Sequence, residues 1–240
     1  VLSPSALAVA GAVALVGAVV QGVAGFGLNL LCAPLLVLVD PALVPVPVLL
    51  VATVQSGLGV AREHAMTDWR GVGWAVLGRG GGNVLGMLVV ASLPLREFSL
   101  VVAGSVLVCV GLSVVSWRPT PTRNGLLLAG AASGAFGTTS AIGGPPMALI
   151  YQGERGPRVR ATLSAYFLLG SITSLVTLGV AGRVEVAHLW AALSLLPFVV
   201  LGFVLSGPLR RFLDAGRVRP TVLVTSAVAA VLLAGRSLLG

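Results

Sequence analysis

Two glycine-rich stretches interrupt sequence that is otherwise apolar enough for lipid. They are Gln21-Gly22-Val23-Ala24-Gly25-Phe26-Gly27 in the first half and Gly134-Ala135-Phe136-Gly137-Thr138-Thr139-Ser140-Ala141-Ile142-Gly143-Gly144-Pro145-Pro146 in the second. Backbone that leaves a helix at membrane depth must be buried in protein or line a wet cavity, because lipid offers its N–H and C=O groups no partner. Interruptions at matching places in two halves therefore predict a transport site where they meet. The surrounding composition excludes an ordinary soluble domain: 57% of the 240 residues are hydrophobic and 9% charged, against about 25% charged in soluble proteins. Mean hydropathy is +1.04. The expectation is an all-α polytopic membrane protein whose 32 glycines and 14 prolines suit closely packed transmembrane helices.

Apolar runs occupy residues 5–23, 28–39, 42–60, 71–92, 98–117, 124–137, 145–152, 161–182, 186–206 and 220–239, five in each half. The runs at 28–39 and 145–152 are too short to cross a hydrocarbon core of ~30 Å at ~1.5 Å per residue. Arginine placement decides how they are threaded. If all ten segments cross, one side holds eleven arginines (Arg62, Arg70, Arg118, Arg123, Arg155, Arg158, Arg160, Arg210, Arg211, Arg217, Arg219) and the other three (Arg96, Arg183, Arg236). If both short segments return to the side they came from, the tally falls to eight against six. Cytoplasmic loops carry the excess of Arg, so the crossing arrangement is favoured, with both termini outside the cytoplasm. Five crossings per half then turn the second half upside down relative to the first. The units are a first repeat over 1–117, a linker over 118–123 containing Pro119 and Pro121, and a second repeat over 124–240.

Residues repeat as well as hydropathy: Gly25-Phe26-Gly27 followed by Pro34 is echoed by Ala135-Phe136-Gly137 followed by Pro145, and Val84-Leu85-Gly86 by Val200-Leu201-Gly202. The loop from Arg62 to Trp69, with Glu63 and His64, parallels Arg183 to Trp190, with Glu185 and His188. Together with Ala33-Pro34-Leu35-Leu36, Gly130-x-x-x-Gly134 running to Gly143-Gly144-Pro145-Pro146, Asp68-Trp69-Arg70 and Arg158-Val159-Arg160-Ala161-Thr162, this pattern resembles the TauE/SafE family of sulfite and sulfonate exporters over nearly the whole chain. The resemblance implies an inner-membrane exporter of a small sulfur-containing anion, sulfite or an organosulfonate. The alternatives are an importer or channel-like conductor of thiosulfate or another oxyanion and, in another class, a membrane scaffold whose glycines serve packing alone.

The residues support an anion site independently. A helix that starts at a break presents unpaired N–H groups and about half a positive charge. Candidate donors are Thr138, Thr139, Ser140, Gly143 and Gly144 in one half, and the amides of Gly27, Leu28 and Asn29 with the Asn29 side chain in the other, with Gly25 and Phe26 beside them and Gly25 allowing close approach. Arg79 falls near the middle of the 71–92 run. An arginine at that depth costs at least ~2.5 kcal/mol and needs a partner, which is an anionic substrate, backbone carbonyls, or water reached by snorkelling. No Asp or Glu lies inside an apolar run, which argues against a buried carboxylate proton relay. His64 and His188 read as loop residues, Cys32 and Cys109 as packing residues, and Trp69, Trp74, Trp117 and Trp190 as interfacial anchors. No Walker motif, nucleophile elbow or metal-ligand cluster appears, so no enzyme activity, metal or cofactor is expected. The implied partners are a small anionic substrate and the lipid bilayer, with room for a homo-oligomer and without nucleic acid.

Overall fold

The computed structural model describes residues 3–114, 119–154, 156–210 and 215–239. These form ten α-helices: α1 (Pro4–Ala24), α2 (Leu28–Val39), α3 (Val46–Glu63), α4 (Trp69–Ser92), α5 (Leu95–Val114), α6 (Arg123–Ser140), α7 (Gly144–Tyr151), α8 (Gly156–Val180), α9 (Val186–Leu209) and α10 (Ala215–Leu239). Among the described residues, seven segments are long and apolar enough to cross a membrane: Pro4–Ala24, Pro41–Met66, Trp69–Ser92, Leu95–Val114, Gly156–Val180, Val186–Leu209 and Pro220–Leu238. The 12-residue α2 and 8-residue α7 reach only about 18 and 12 Å. The 18-residue α6 is long enough, but Gly, Ser and Thr fill its second half.

Helix starts follow local chemistry. The side chains of Ser3, Asp68 and Thr122 accept from the N–H groups of Ala6, Gly71 and Gly125, each satisfying one of the donors a first turn leaves open. Glu185 and His188 close a reciprocal cap on α9, with the Glu185 N–H donating to His188 Nδ1 at 3.1 Å. His188 is thereby committed to structure.

Charged side chains near the helix ends tie neighbouring helices together. At one end, Glu63 contacts Arg160 and Arg210, Asp68 accepts from Tyr151, and Arg123 stacks on Trp74 at 4.2 Å. At the other, Arg183 donates to the Ala91 carbonyl, Arg96 to the carbonyls of Ser237 and Leu238, and Arg236 to that of Leu38. Arg118, Trp117, Arg155 and Arg211 lie outside the described residues, as do the side chains of Arg217 and Arg219.

Helices α4 and α6 pack along one another, as do α1 and α9, α3 and α8, and α5 and α10; α3 also meets α9, and α8 meets α4. Glycine brings the first pair together. A Cβ on Gly82 would lie 2.0 Å from the Ala131 carbonyl oxygen, and one on Gly130 2.0 Å from that of Ala75. These are small-xxx-small contacts, in which the missing side chains let backbones touch. The outer surface is Leu77, Leu85, Leu128, Leu193 and Val204, whereas Arg79, Asn83, Ser133 and Thr138 are buried. The interior is itself largely apolar, so these polar groups form a buried polar cluster inside a bundle whose surface is also hydrocarbon.

Candidate functional site

The segments that join α1 to α2 and α6 to α7 come together. Helix α1 ends on Gly25 in the left-handed conformation (φ 89°), with its N–H bonded to the Gln21 carbonyl, and Gly27 (φ 127°) precedes α2. Neither angle suits a residue with a Cβ. In the second half the chain stays helical through Ser140 and turns at Ala141 (φ 62°) before α7 begins at Gly144. Asn29 Nδ2 donates to the Ala141 carbonyl at 2.7 Å, and a Cβ on Gly144 would sit 3.7 Å from that of Phe26.

A cavity of about 30 Å³ lies between them, lined by Gln21, Phe26, Gly27, Asn29, Ser56, Arg79, Ala141, Gly143, Gly144, Pro145, Phe167 and Ser171 among others. At roughly 10–15 Å³ per water it admits about two. Of the residues singled out in the sequence, Phe26, Gly27, Asn29, Arg79, Gly143 and Gly144 therefore converge on one space. Gly25, Leu28, Thr138, Thr139 and Ser140 lie outside its lining. Gly25 abuts the Arg160 backbone and stem, where a Cβ would approach Cα to 3.1 Å. Thr138, Thr139 and Ser140 occupy the last turn of α6, where their N–H groups point back along the helix. Their hydroxyls are also engaged: Thr138 with Asn83 and Ser174, Thr139 with the Gly86 carbonyl, and Ser140 with the Phe136 carbonyl.

Phe26 lies in the first interruption, but its sequence echo Phe136 lies inside α6. The glycine beside it explains why. A Cβ on Gly137 would come within 2.4 Å of Arg79 Nη2, and one on Gly170 within 2.9 Å of the same guanidinium. These glycines clear space for a side chain rather than ending a helix.

Arg79 is 3% exposed. Its Nη1 donates to Ser133 Oγ (3.1 Å) and the Tyr166 hydroxyl (3.0 Å), and its Nη2 to Ser174 Oγ (2.9 Å). The side chain neither snorkels nor binds carbonyls; it is held by neutral hydroxyls from α6 and α8. No carboxylate among the described residues pairs with it, and its Nε has no hydrogen-bond partner. Ser133 passes the connection on by donating to the Gly143 carbonyl. Two helix N-termini, those of α2 and α7, border the same cavity, although Pro145 and Pro146 subtract two donors from the second.

Sequence reasoning did not identify Gln21, Ser56, Ser133, Tyr166, Ser171 or Ser174. The available signal was the arginine itself, since a buried guanidinium carries five donors that must be met by neighbouring hydroxyls or carbonyls.

A chain whose described residues include seven helices long and apolar enough to cross a membrane, with a hydrocarbon surface and a buried polar cavity, is a multi-pass membrane protein. The family model described as "Sulfite exporter TauE/SafE" matches residues 9–233, so the chain belongs to the TauE/SafE family, whose members are membrane transporters rather than enzymes. Comparisons with curated proteins and with solved structures gave no match.

Proposed function

We propose that this protein exports a small sulfur-containing anion, sulfite or an organosulfonate, across the cytoplasmic membrane through the central cavity. The observation that carries the proposal is Arg79: a buried cation without a carboxylate partner among the described residues, bordering the space where both interruptions meet. Burying an unpaired charge is costly, and a transient anion offsets that cost only while it is bound. The α2 and α7 N-termini add partial positive charge to the lining of the same cavity. A cavity of about 30 Å³ has to widen to pass such an ion, which suits alternating access better than an open channel.

The two halves, 1–117 and 124–240, act in this reading as inverted repeats joined by the linker 118–123. Its support is the exchange of partners: adding five to each helix number turns the α4–α6 contact into α9–α1 and α3–α9 into α8–α4, while α3–α8 and α5–α10 map onto themselves. The arginine-rich end is cytoplasmic by charge bias, and both termini are extracytoplasmic. Flux measurements in proteoliposomes with sulfite, organosulfonates, thiosulfate and sulfate, in both directions, test the proposal. Movement of sulfite or an organosulfonate that is lost in Arg79→Gln is the expected result; equal flux in both proteins would overturn it.

A further inference from the structure

A second cluster of charge lies at the arginine-rich end, between the halves. Glu63, at the end of α3, receives Arg160 Nε at 3.1 Å from α8 and Arg210 Nη1 from the end of α9. All three side chains are less than a quarter exposed. Arg210 Nε also donates to the Gly22 carbonyl of α1 at 2.8 Å, and Arg160 packs against Gly25. Neighbouring Arg62 lies over the Phe203 ring at 3.6 Å and donates to the Phe203 carbonyl and the Ser206 hydroxyl. Two guanidiniums thus converge on one carboxylate, with a third cation one residue away.

This cluster borders a cavity of about 10 Å³ whose lining includes Gln21, Gln55, Glu63, Arg160, Ser164 and Arg210. Gln21 also lines the central cavity. Gln21 thus borders both spaces, and a path through them from the arginine-rich face to Arg79 passes Arg160 and Arg210 first.

The geometry points to a second oxyanion site formed by Arg160 and Arg210, filled in this conformation by the Glu63 carboxylate, which closes the path. Withdrawing Glu63 with nothing in its place would leave two half-buried guanidiniums uncompensated, a costly step. An arriving sulfonate or sulfite offers the same oxygens in the same fork geometry. It takes over the arginines, frees Glu63, and separates α3 from α8 and α9. Opening on this face is therefore linked to the presence of the anion. The inference rests on the central cavity being the transport site, because that gives the route its destination.

The test uses the full chain in proteoliposomes, with Cys32→Ala and Cys109→Ala as background and Ser164→Cys as reporter. Labelling by a membrane-impermeant maleimide is followed from the arginine-rich face, with methanesulfonate as the probe anion. Methanesulfonate is expected to accelerate labelling roughly fivefold or more, the lower range for coupled equilibria. Adding Glu63→Gln should give fast labelling with or without the anion. Labelling indifferent to methanesulfonate in the Ser164→Cys protein overturns the proposal, and that measurement stands even where Glu63→Gln fails to fold. Arg79→Gln in the same background separates the two readings. If its labelling still responds to methanesulfonate while flux is normal, the central site falls and the outer site stands. If flux is lost and labelling never responds, the outer site falls alone.

Discussion

The side-chain amide of Asn29, in the first turn of α2, donates to the Ala141 carbonyl across 2.7 Å and joins the two interruptions directly. Asn29 Oδ1 has no hydrogen-bond partner, so the group carries one structural bond and one open acceptor beside the cavity. Asn29→Leu keeps the volume roughly and deletes the bond. It is expected to cost about 1–3 kcal/mol by leaving a buried carbonyl unpaired, read as a lower melting temperature in detergent together with reduced flux.

Arg79 is expected to supply the larger part of anion affinity. Hydrogen bonds to a charged group contribute about 1.5–3 kcal/mol, so Arg79→Gln should weaken binding of the transported anion roughly tenfold or more. Arg79→Lys keeps the charge but cannot reproduce the fork that reaches Ser133, Tyr166 and Ser174 together. It should fall between the two. Titration calorimetry on the three proteins checks the order, and equal affinities would assign Arg79 to architecture alone.

These two residues also mark how far the sequence could be read. The run at 28–39 coincides with α2 (Leu28–Val39) because Gly25 and Gly27 stand just before it in conformations that a Cβ disfavours. The stretch Gly134–Ser140 looked like a similar interruption but remains helical. Its glycines answer to partners distant in sequence: Gly134 to the α4 backbone at Arg79 and Gly137 to the Arg79 guanidinium. Glycine has the same signature whether it bends a chain or admits a neighbour, and only the neighbour distinguishes the two. The hydroxyls around Arg79 were hidden for a related reason. Ser133, Tyr166 and Ser174 are isolated polar residues on apolar helices, unremarkable until α4, α6 and α8 are assembled.

Gly27 and Gly144 border the same cavity but are expected to respond differently to substitution. Gly27 has φ 127°, and a Cβ there would lie 2.8 Å from Val20 Cγ1. Gly27→Ala therefore carries backbone strain of about 1–3 kcal/mol. At Gly144 a Cβ meets only ordinary contacts, 3.5 Å to Phe167 and 3.7 Å to Phe26, so Gly144→Ala should insert and transport. Gly144→Val adds methyls that compete for the narrow space between those rings and should abolish flux at normal expression. Transport by Gly144→Val at the wild-type rate would remove α7 from the site.

Topology is expected to follow the arginines, with both termini extracytoplasmic and the segment at 208–219 cytoplasmic. Reporter fusions after Gly240 and cysteine labelling within 208–219 read this out. A cytoplasmic C-terminus would contradict the inverted arrangement proposed for the two halves.

Stability should separate glycines that pack helices from those that merely occupy them. On α4, a Cβ at Gly82 would stand 2.0 Å from the Ala131 carbonyl oxygen and 2.8 Å from the Ala135 nitrogen, both backbone atoms that cannot move aside independently. Gly82→Val should push α4 from α6, displacing the wall that holds Arg79, at a cost of about 3 kcal/mol or more. Gly81 is its neighbour in sequence, yet its Cβ would meet nothing within 4 Å. Gly81→Ala adds helix propensity and restricts the unfolded chain, so it should stabilise by about 0.4–1 kcal/mol. Melting temperatures in detergent should therefore move in opposite directions for two adjacent glycines. A loss of stability in both would mean that α4 tolerates no added bulk on either face, and that its glycines serve something beyond the contact with α6.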